Sequence, residues 1–468
     1  MSFTSFSFII FLLSVLAVYW LIKKREWQNF ILLIASYIFY GWVSPRLSVM
    51  LGISTLLDFS LARGMQAKPA RTRLFMALSL ILNLGVLIFF KYYNFFSDDL
   101  AGIVSRLGMD GDPFLIRILL PAGLSFYTLK KLSYMIDVSR GTLKPTHTLM
   151  DFALYVSFFP QIVAGPIERP QKLLPQIESQ RTWQPDYFYN AWPLIVMGLF
   201  KKIVIADNIK VIADQVFAVN GPSIFLLAMG ALAFTLQILA DFSGYTDMSR
   251  GFAMLFGFQT SENFNLPYAS LTPTDFWNRW HITLSTWLRD YVFFPVGRAL
   301  KKSRVKLPNW LVLSIPPIAT MFVSGLWHGA GWNYVLWGLY YGVLISVYQL
   351  IGIRGDWKPK SFIALGLGWF IMFFFIVFGW AMFRAPTLAW LGNVLTDSPF
   401  IRSRSDLIVG LITLSMVLVY SAPLFIKLAL DKFSTKDGWL IPAYYALVTV
   451  FIIIFINSSS PDFIYLQF

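Results

Sequence analysis

Long apolar runs, separated by short polar or basic segments, dominate the hydrophobic pattern of this 468-residue chain. A helix needs about 20 mostly apolar residues to cross a bilayer. Runs of this kind predict spans near residues 6–22, 29–43, 47–62, 74–92, 308–327, 332–353, 362–384, 406–427 and 440–457. With the less regular middle of the chain, the pattern predicts an all-α polytopic membrane protein with about eleven spans.

Two parts of the chain interrupt this regular pattern. They lie near 115–170 and 240–335, where prolines, glycines and charged residues stand within apolar sequence, most densely over 240–300. Proline breaks helices, and irregular backbone at membrane depth is tolerated only inside protein or beside a wet cavity. We therefore expect short, re-entrant or amphipathic helices around a cavity there. No repeat or long linker divides the chain, so we expect a single domain over 1–468.

Composition and charge agree with a membrane protein. Only 13% of the residues are charged, whereas a soluble domain carries roughly 25%. The net charge of +14 is assigned to cytoplasmic loops, in preference to nucleic-acid binding. The first span is followed by the basic residues 23–25, which predicts an extracytoplasmic N-terminus. By the same rule, loop 62–73 is predicted to be cytoplasmic and the aspartate-rich loop 91–113 external.

Histidine is the best available group for proton transfer at neutral pH. The chain has no cysteine and three histidines, which excludes disulfides and a cysteine acyl-enzyme and disfavours a zinc site. We expect no bound metal. P-loop, G-x-S-x-G and H-E-x-x-H motifs are also absent. His147 stands in a predicted loop and is assigned no role.

The segment "TPTDFWNRWHITLSTWLRDYVFFPVGR" (272–298) concentrates charged and aromatic residues. Asp275 and Arg279 stand four residues apart, so they can pair on one helix face. A second predicted face groups Trp277, His281, Leu284 and Leu288. Two interpretations stay open. The segment either faces a functional cavity or lies on the membrane surface as an amphipathic helix.

The segment "FVSGLWHGAGWNY" (322–334) places His328 between Gly325 and Gly329, a small-xxx-small pair that lets another helix, or a thin substrate arm, approach the backbone closely. A histidine used only for packing is the alternative. The polar residues of 234–258 predict a buried network that either shapes a cavity or is purely structural. The basic segment 297–306 is assigned to membrane topology in preference to phosphate binding.

These segments together resemble the membrane-bound O-acyltransferases, and more narrowly the bacterial branch with the alginate O-acetylation membrane subunit. The resemblance rests on "RWHITLSTWLRDYVFFPVG", "SGLWHGAGWNYVLWG", "FFPQIVAGPIERP", "GLFKKIVIADN", "DFSGYTDMSRGFAMLFGF", "ENFNLPY", "LPAGLSFYTLKKLSYMIDVSRG" and the closing "FIYLQF". One position departs from the pattern: Lys130 stands in "TLKKLSY" where a glutamine is expected.

The resemblance implies a helical fold with a central funnel and a catalytic pair, His328 and His281. His328 would act as general base, while His281 would orient the acceptor or stabilise the oxyanion. Residues expected to line the donor site are Trp327, Gly329, Ser324, Arg289 and Asp290. Residues expected to contact donor phosphates are Arg298, Lys301 and Lys302.

The predicted activity is transfer of an acetyl group from cytoplasmic acetyl-CoA to an extracytoplasmic polysaccharide such as alginate. The implied location is the bacterial inner membrane, among membrane lipids and with an extracytoplasmic or membrane-anchored acetyltransferase as partner. No permanently bound cofactor and no nucleic acid are expected. The same chemistry on peptidoglycan, another cell-wall polymer or teichoic acid, the last with a D-alanyl donor, stays open. A transporter or flippase, or a passive scaffold, is the non-enzymatic alternative.

Overall fold

The computed structural model describes residues 1–42, 44–107, 121–304, 307–433 and 438–456, and helices dominate them. The helices are α1 (Phe6–Leu21), α2 (Arg25–Gly41), α3 (Pro45–Ala67), α4 (Thr72–Arg106), α5 (Leu124–Ser139), α6 (Leu149–Ser157), α7 (Pro170–Glu178), α8 (Pro185–Leu199), α9 (Asp207–Ala218), α10 (Ile224–Leu255), α11 (Pro273–Arg279), α12 (Ile282–Leu288), α13 (Phe294–Lys302), α14 (Asn309–His328), α15 (Trp332–Leu350), α16 (Phe362–Arg384), α17 (Leu388–Asp397), α18 (Arg404–Phe433) and α19 (Leu440–Phe455). Two π-helical segments, Phe200–Ala206 and Arg289–Phe293, follow α8 and α12.

Within the described residues, six helical segments are long and apolar enough to cross a membrane. They are Pro45–Ala67, Pro69–Ser97, Ile224–Leu255, Asn309–His328, Phe362–Arg384 and Arg404–Phe433. Two shorter apolar helices, Phe6–Leu21 and Leu440–Phe455, correspond to the first and last predicted spans. The all-α membrane architecture is therefore confirmed, while the total of about eleven spans stays a prediction.

Two sequence predictions about irregular segments are wrong. Residues 91–106, expected to begin an external loop, continue α4 to Arg106. Residues 240–255, expected to be broken, belong to the continuous 32-residue helix α10. No proline interrupts α10. Asp241, one of its polar residues, forms an ion pair with Lys202 at 2.9 Å. A charged residue with a partner therefore does not break the helix, whereas a proline would.

Several sequence predictions lie outside the described residues. They concern Asp110 and Asp112 of the expected external loop, residues 115–120 of the first irregular part, Lys306 of the basic segment, Lys436 and Asp437, residue 457 of the last predicted span and the closing motif at 463–468.

Contacts divide the chain into two compact units, the first comprising 1–192 and 249–261. In the first unit, buried charges hold helices together. Lys131 on α5 lies 3.3 Å from Asp58 on α3, and Asp58 also accepts hydrogen bonds from Ser79 and Asn83 on α4. Lys130, the departure from the family pattern, is fully buried, and its ammonium donates to Gln161 at 3.3 Å. The ion pair offsets the cost of burying Lys131 and Asp58, and the hydrogen bond to Gln161 gives the Lys130 ammonium a polar partner.

The second unit comprises 193–248 and 262–468 and contains both histidines of interest. Its central feature is the tightly packed pair α14 and α15. A Cβ atom added to Gly325 on α14 would lie 2.3 Å from the Tyr334 carbonyl oxygen, and one added to Gly338 on α15 would lie 2.3 Å from that of Met321. Glycine at both positions is what allows the two backbones to touch. The prediction of a single domain over 1–468 stays a prediction.

Candidate active site

His281 is placed by a sharp break between two short helices. Thr272 caps α11 by accepting a hydrogen bond from the Asp275 backbone N–H at 3.1 Å, and α11 ends at Arg279. His281 then adopts a left-handed conformation, with φ of 42° and ψ of 53°, before α12 begins. Such a conformation is uncommon for a residue other than glycine. It turns the chain sharply and carries the imidazole into the interior, where His281 is fully buried.

This break corrects the predicted helical face of Trp277, His281, Leu284 and Leu288. No continuous helix joins the four, because the backbone leaves helical geometry at Trp280 and His281. The predicted Asp275–Arg279 pair is confirmed at 2.7 Å. The surface-helix alternative is not supported, because Trp277, Trp280 and Trp287 are all buried and not placed at a membrane surface.

Asn263 fixes the protonation pattern of His281. Its side-chain oxygen accepts hydrogen bonds from the Thr283 backbone N–H at 3.1 Å and the Thr283 hydroxyl at 2.9 Å. A backbone N–H can only donate, so the atom in this position is the amide oxygen. The same oxygen lies 3.2 Å from Nδ1 of His281, which must therefore be the donor. Nε2 consequently carries the lone pair of the neutral ring.

Burial also favours the neutral form of this ring. His281 lies outside the candidate spans, between α11 and α12, and burial lowers its pKa from 6.5 to about 3. Desolvation disfavours the imidazolium because a charge is costly away from water. Phe242, whose ring centroid lies 4.7 Å from that of His281, contributes to this apolar surrounding.

His328 is the last residue of α14 and lies in an aromatic enclosure. Its ring centroid is 4.9 Å from those of Trp327 and Trp337 and 5.4 Å from that of Phe383. The neighbours come from α14, α15 and α16. His328 is 4% exposed, so water reaches very little of the imidazole.

One indole connects the two histidines. The Trp327 ring centroid lies 5.9 Å from that of His281 and 4.9 Å from that of His328. The two imidazoles can therefore be no farther apart than the sum of these distances. The structure brings together two rings that are 47 positions apart in the sequence.

Several buried polar groups near the histidines make no hydrogen bond within the described part of the chain. They are the Ser324 hydroxyl, the Tyr341 hydroxyl and the indole N–H groups of Trp337 and Trp380. Ser324 stands one helical turn before His328, on the same face of α14. Buried donors of this kind usually have a partner. A polar substrate group would satisfy them.

A cavity of about 210 Å³ lies between α11, α12, α14 and α15. Trp277, Thr286, Arg289 and Met321 are among its lining residues. The Trp277 ring centroid is 5.6 Å from that of Trp337, which in turn contacts His328. Two indoles thus separate the cavity from His328. Arg289 is half-exposed and pairs with Asp290 at 3.3 Å.

The remaining predicted donor-site residues lie elsewhere. Arg298, Lys301 and Lys302 are exposed on α13 and do not line this cavity.

A Cβ atom on Gly329 would lie 2.2 Å from the Tyr334 ring. The space beside Gly325 and Gly329 is therefore filled by Tyr334 of α15, which corrects the expectation that a thin substrate arm uses it. The donor-binding roles of these residues stay predictions.

The family model for the membrane-bound O-acyltransferases matches residues 143–384, just over half of the chain, and this region includes both histidines. The chain belongs to the membrane-bound O-acyltransferase family. It is therefore a membrane-embedded O-acyltransferase, which favours the enzymatic interpretation over the transporter and scaffold alternatives. The all-helical fold and the apolar spans are those expected for a membrane-bound O-acyltransferase.

Named relatives carry three related activities. The chain is 39% identical to a probable alginate O-acetylase of Pseudomonas aeruginosa, over 83% of this chain and 74% of the relative. It is 33% identical to a peptidoglycan O-acetyltransferase of Helicobacter pylori, over 76% and 71%. It is 31% identical to a teichoic acid D-alanyltransferase of Bacillus subtilis, over 56% and 68%. The names describe transfer of an acetyl or D-alanyl group involving alginate, peptidoglycan or teichoic acid.

Sequence reasoning missed one residue of this site, Asn263. It stands in "ENFNLPY", a segment that contributed to the family resemblance but was given no chemical role. Asn263 matters because loop 262–272 packs against the start of α12, where its side chain binds His281 and Thr283.

Proposed function

We propose that this membrane-bound O-acyltransferase transfers acetyl groups from cytoplasmic acetyl-CoA towards hydroxyl groups of an extracytoplasmic polysaccharide such as alginate, at the bacterial inner membrane. The contact of both imidazoles with Trp327 is the observation that carries the proposal. The similarity to alginate O-acetylases over 83% of the chain favours acetyl transfer to a polysaccharide.

His328 is the general base of the proposed reaction. Its imidazole takes the proton of the acceptor hydroxyl while the hydroxyl oxygen attacks the thioester carbonyl carbon. The tetrahedral intermediate then collapses and the carbon–sulfur bond breaks. The imidazolium returns its proton to the departing sulfur, so the products are an ester and free CoA thiol. No acyl-enzyme is needed, in agreement with the absence of cysteine.

The geometry favours one of the two roles considered for His281. With Nδ1 donating to Asn263, Nε2 can accept a hydrogen bond but cannot donate one. A neutral ring in this form suits a group that accepts a hydrogen bond from another hydroxyl of the acceptor and so orients the acceptor, because the single proton of the attacking hydroxyl goes to His328. Stabilising an oxyanion requires a donor. Buried donors such as the Trp337 N–H and the Ser324 hydroxyl are better suited to that task.

The cavity beside Arg289 is the proposed route of the acyl donor. Its wall includes Met321 of α14, the helix that carries His328, and the Trp277 indole. Arg289 stands at this cavity and provides a guanidinium for donor phosphates. Rotation of the Trp277 and Trp337 side chains to other rotamers would connect the cavity with His328. No permanently bound cofactor or metal is required.

Peptidoglycan is the second acceptor to consider, because the Helicobacter pylori relative carries that name and matches 76% of the chain. The teichoic acid relative matches only 56% of the chain, which favours acetyl over D-alanyl transfer. Delivery to a polymer outside the membrane calls for an extracytoplasmic acetyltransferase partner, which remains part of the proposal.

Membranes containing the full chain, its His328→Ala variant and a His147→Ala control would test the proposal with radiolabelled acetyl-CoA. We expect His328→Ala to lower the release of CoA by about 10²–10⁴-fold, the usual contribution of positioned proton transfer. The control removes an exposed histidine from a loop and should retain full activity.

Both variants are first checked for unaltered thermal unfolding in detergent. Full CoA release by a correctly folded His328→Ala variant would refute the mechanism. Transfer from a D-alanyl carrier protein, with none from acetyl-CoA, would refute the donor.

A further inference from the structure

A second cavity, of about 310 Å³, lies in the second unit between α8, α10, α18 and α19. Its volume is at the lower end of the range for small-molecule sites in proteins. Most of its wall is apolar and includes Leu194, Leu239, Leu424 and Leu428. An apolar wall of this kind suits a hydrocarbon chain.

Charged groups stand in the same cavity. Lys201, Asp247 and Lys427 line it, which gives the lining one net positive charge. Lys201 pairs with Asp247 at 2.7 Å. The partner of Lys427 is Asp431, which is half-exposed and does not line the cavity. The Lys427 ammonium also lies 5.6 Å from the centroid of the Tyr445 ring.

The positions of two of these charges point to a ligand. Asp247 and Lys427 both belong to candidate membrane spans. Ionisable residues within spans are costly, face the protein interior or a cavity, and usually mark functional sites. Lys427 stands six positions before the end of α18, and lysines near the ends of spanning helices commonly extend their ammonium groups towards the membrane interface.

The rim of the cavity opens to the surface. Leu266 and Leu428 line it and are 50% and 40% exposed. Leu266 has a φ of 47°, and within the described residues only it and His281 combine a side chain with positive φ. Such strain persists where the surrounding structure imposes it, often at ligand sites. An open apolar rim gives a bilayer lipid lateral access.

This cavity is separate from the histidine site. Phe264 lines it, and its ring centroid lies 5.0 Å from that of Phe242. Phe242 in turn covers His281 at 4.7 Å. Two phenylalanine rings therefore separate the cavity from the imidazole, and none of the buried donors around His328 lines it.

We propose that this cavity binds a glycerophospholipid from the surrounding bilayer. The phosphate contacts the ammonium groups of Lys427 and Lys201, and one acyl chain lies along the leucine wall. Lysine is a common phosphate ligand as a compact point charge. The combination of cations and an apolar wall fits a phospholipid better than either a free anion or an uncharged lipid.

Native mass spectrometry of the full chain in detergent, with phosphatidylglycerol added, tests this proposal. We expect one retained phospholipid per chain. Lys427→Gln and Lys201→Gln should each weaken its binding roughly fivefold, because a lysine near a lipid headgroup contributes about 1 kcal/mol. Leu239→Trp leaves both lysines in place but fills the cavity, so it should abolish retention of the lipid.

Lys432→Gln is the matched control, since Lys432 lies on the same helix but is exposed and outside the cavity. Equal retention by the Lys427→Gln, Leu239→Trp and Lys432→Gln variants would overturn the proposal. So would diacylglycerol that binds as tightly as phosphatidylglycerol, or inorganic phosphate that displaces the lipid at equal concentration. Lys201→Gln breaks the pair with Asp247, so Lys427→Gln and Leu239→Trp carry the test if it misfolds.

Discussion

At the scale of single residues, the proposed chemistry of this site depends on a neutral His281 held in one orientation. Asn263 holds the ring through Nδ1 and also binds Thr283, at the start of α12. One amide oxygen therefore fixes both the tautomer and the turn that presents it. A histidine whose second nitrogen is fixed in this way has a defined task for the first.

Asn263→Ala removes this acceptor. We expect transfer to fall about 10²-fold, because the His281 ring can then adopt the other tautomer and orient the acceptor molecule incorrectly. Release of CoA from labelled acetyl-CoA in membranes measures the effect.

Asn265→Ala is the control, in the same loop but at an exposed position. It should leave the rate unchanged. Equal rates for the Asn263→Ala variant and the native chain, with both folded, would show that the amide has no role in orienting His281.

The sequence predicted some residues of the site and not others, for a physical reason. His281 and His328 were identifiable because histidine is rare in the chain and each stands in an aromatic, charged or glycine-rich segment. Asn263 was not, because its hydrogen bonds form only when a loop folds back on a helix start 20 positions later. Short polar residues in loops have many possible partners, and the sequence does not select one.

At the scale of helices, the pair α14 and α15 determines where His328 lies. Gly325 and Gly338 remove the side chains that would hold the two backbones apart. The small-xxx-small pattern predicted a close approach at Gly325, but it could not tell whether a helix or a substrate would make it. The partner is α15, whose own glycines complete the contact.

Gly338→Ala should destabilise the protein by about 1–3 kcal/mol, because the new methyl group would lie against the Met321 carbonyl and force the helices apart. Thermal unfolding in detergent measures the change. We expect activity to fall as well, since His328 moves with α14.

The control for this prediction is Gly366→Ala on α16, where an added Cβ atom meets nothing within 4 Å. It should be neutral or stabilise the helix by up to about 1 kcal/mol. If Gly338→Ala and Gly366→Ala had the same effect, the backbone contact of α14 and α15 would not be the cause.

Helix prediction from the apolar pattern succeeded where one long apolar run determines the helix and failed where local geometry decides. The spans of α1, α14, α16 and α19 end within about two residues of prediction, the ordinary uncertainty of helix ends. The break at His281 was not foreseen, because a left-handed residue depends on the hydrogen bonds around it. The continuity of α10 was missed because its charges are paired across helices.

At the scale of the whole molecule, the buried neutral His281 makes folding sensitive to acid. Its folded-state pKa of about 3 lies below the unfolded value of 6.5. Between these pH values the unfolded chain binds a proton that the folded chain does not. Stability therefore falls as pH decreases through this window.

We expect the free energy of unfolding to drop by about 2 kcal/mol between pH 7 and pH 5 through this histidine alone. Unfolding midpoints in detergent at the two pH values measure the drop. His281→Gln should reduce it by about that amount, whatever the variant does to stability at pH 7.

His147→Gln provides the comparison, because its side chain is exposed. It should keep the acid sensitivity of the native chain. An identical drop in the native and His281→Gln proteins would mean that His281 is protonated, or exchanges its proton freely, in the folded state.

The interlocked backbones of α14 and α15 also limit how the enzyme can work. In the proposed mechanism His328 cannot be moved by a sliding helix, so the access of the reactants to it has to be controlled by side chains. The indoles of Trp277 and Trp337, which stand between the proposed donor cavity and His328, are placed to control that access. Turnover would then be timed by side-chain rotation, with the helices as a fixed frame.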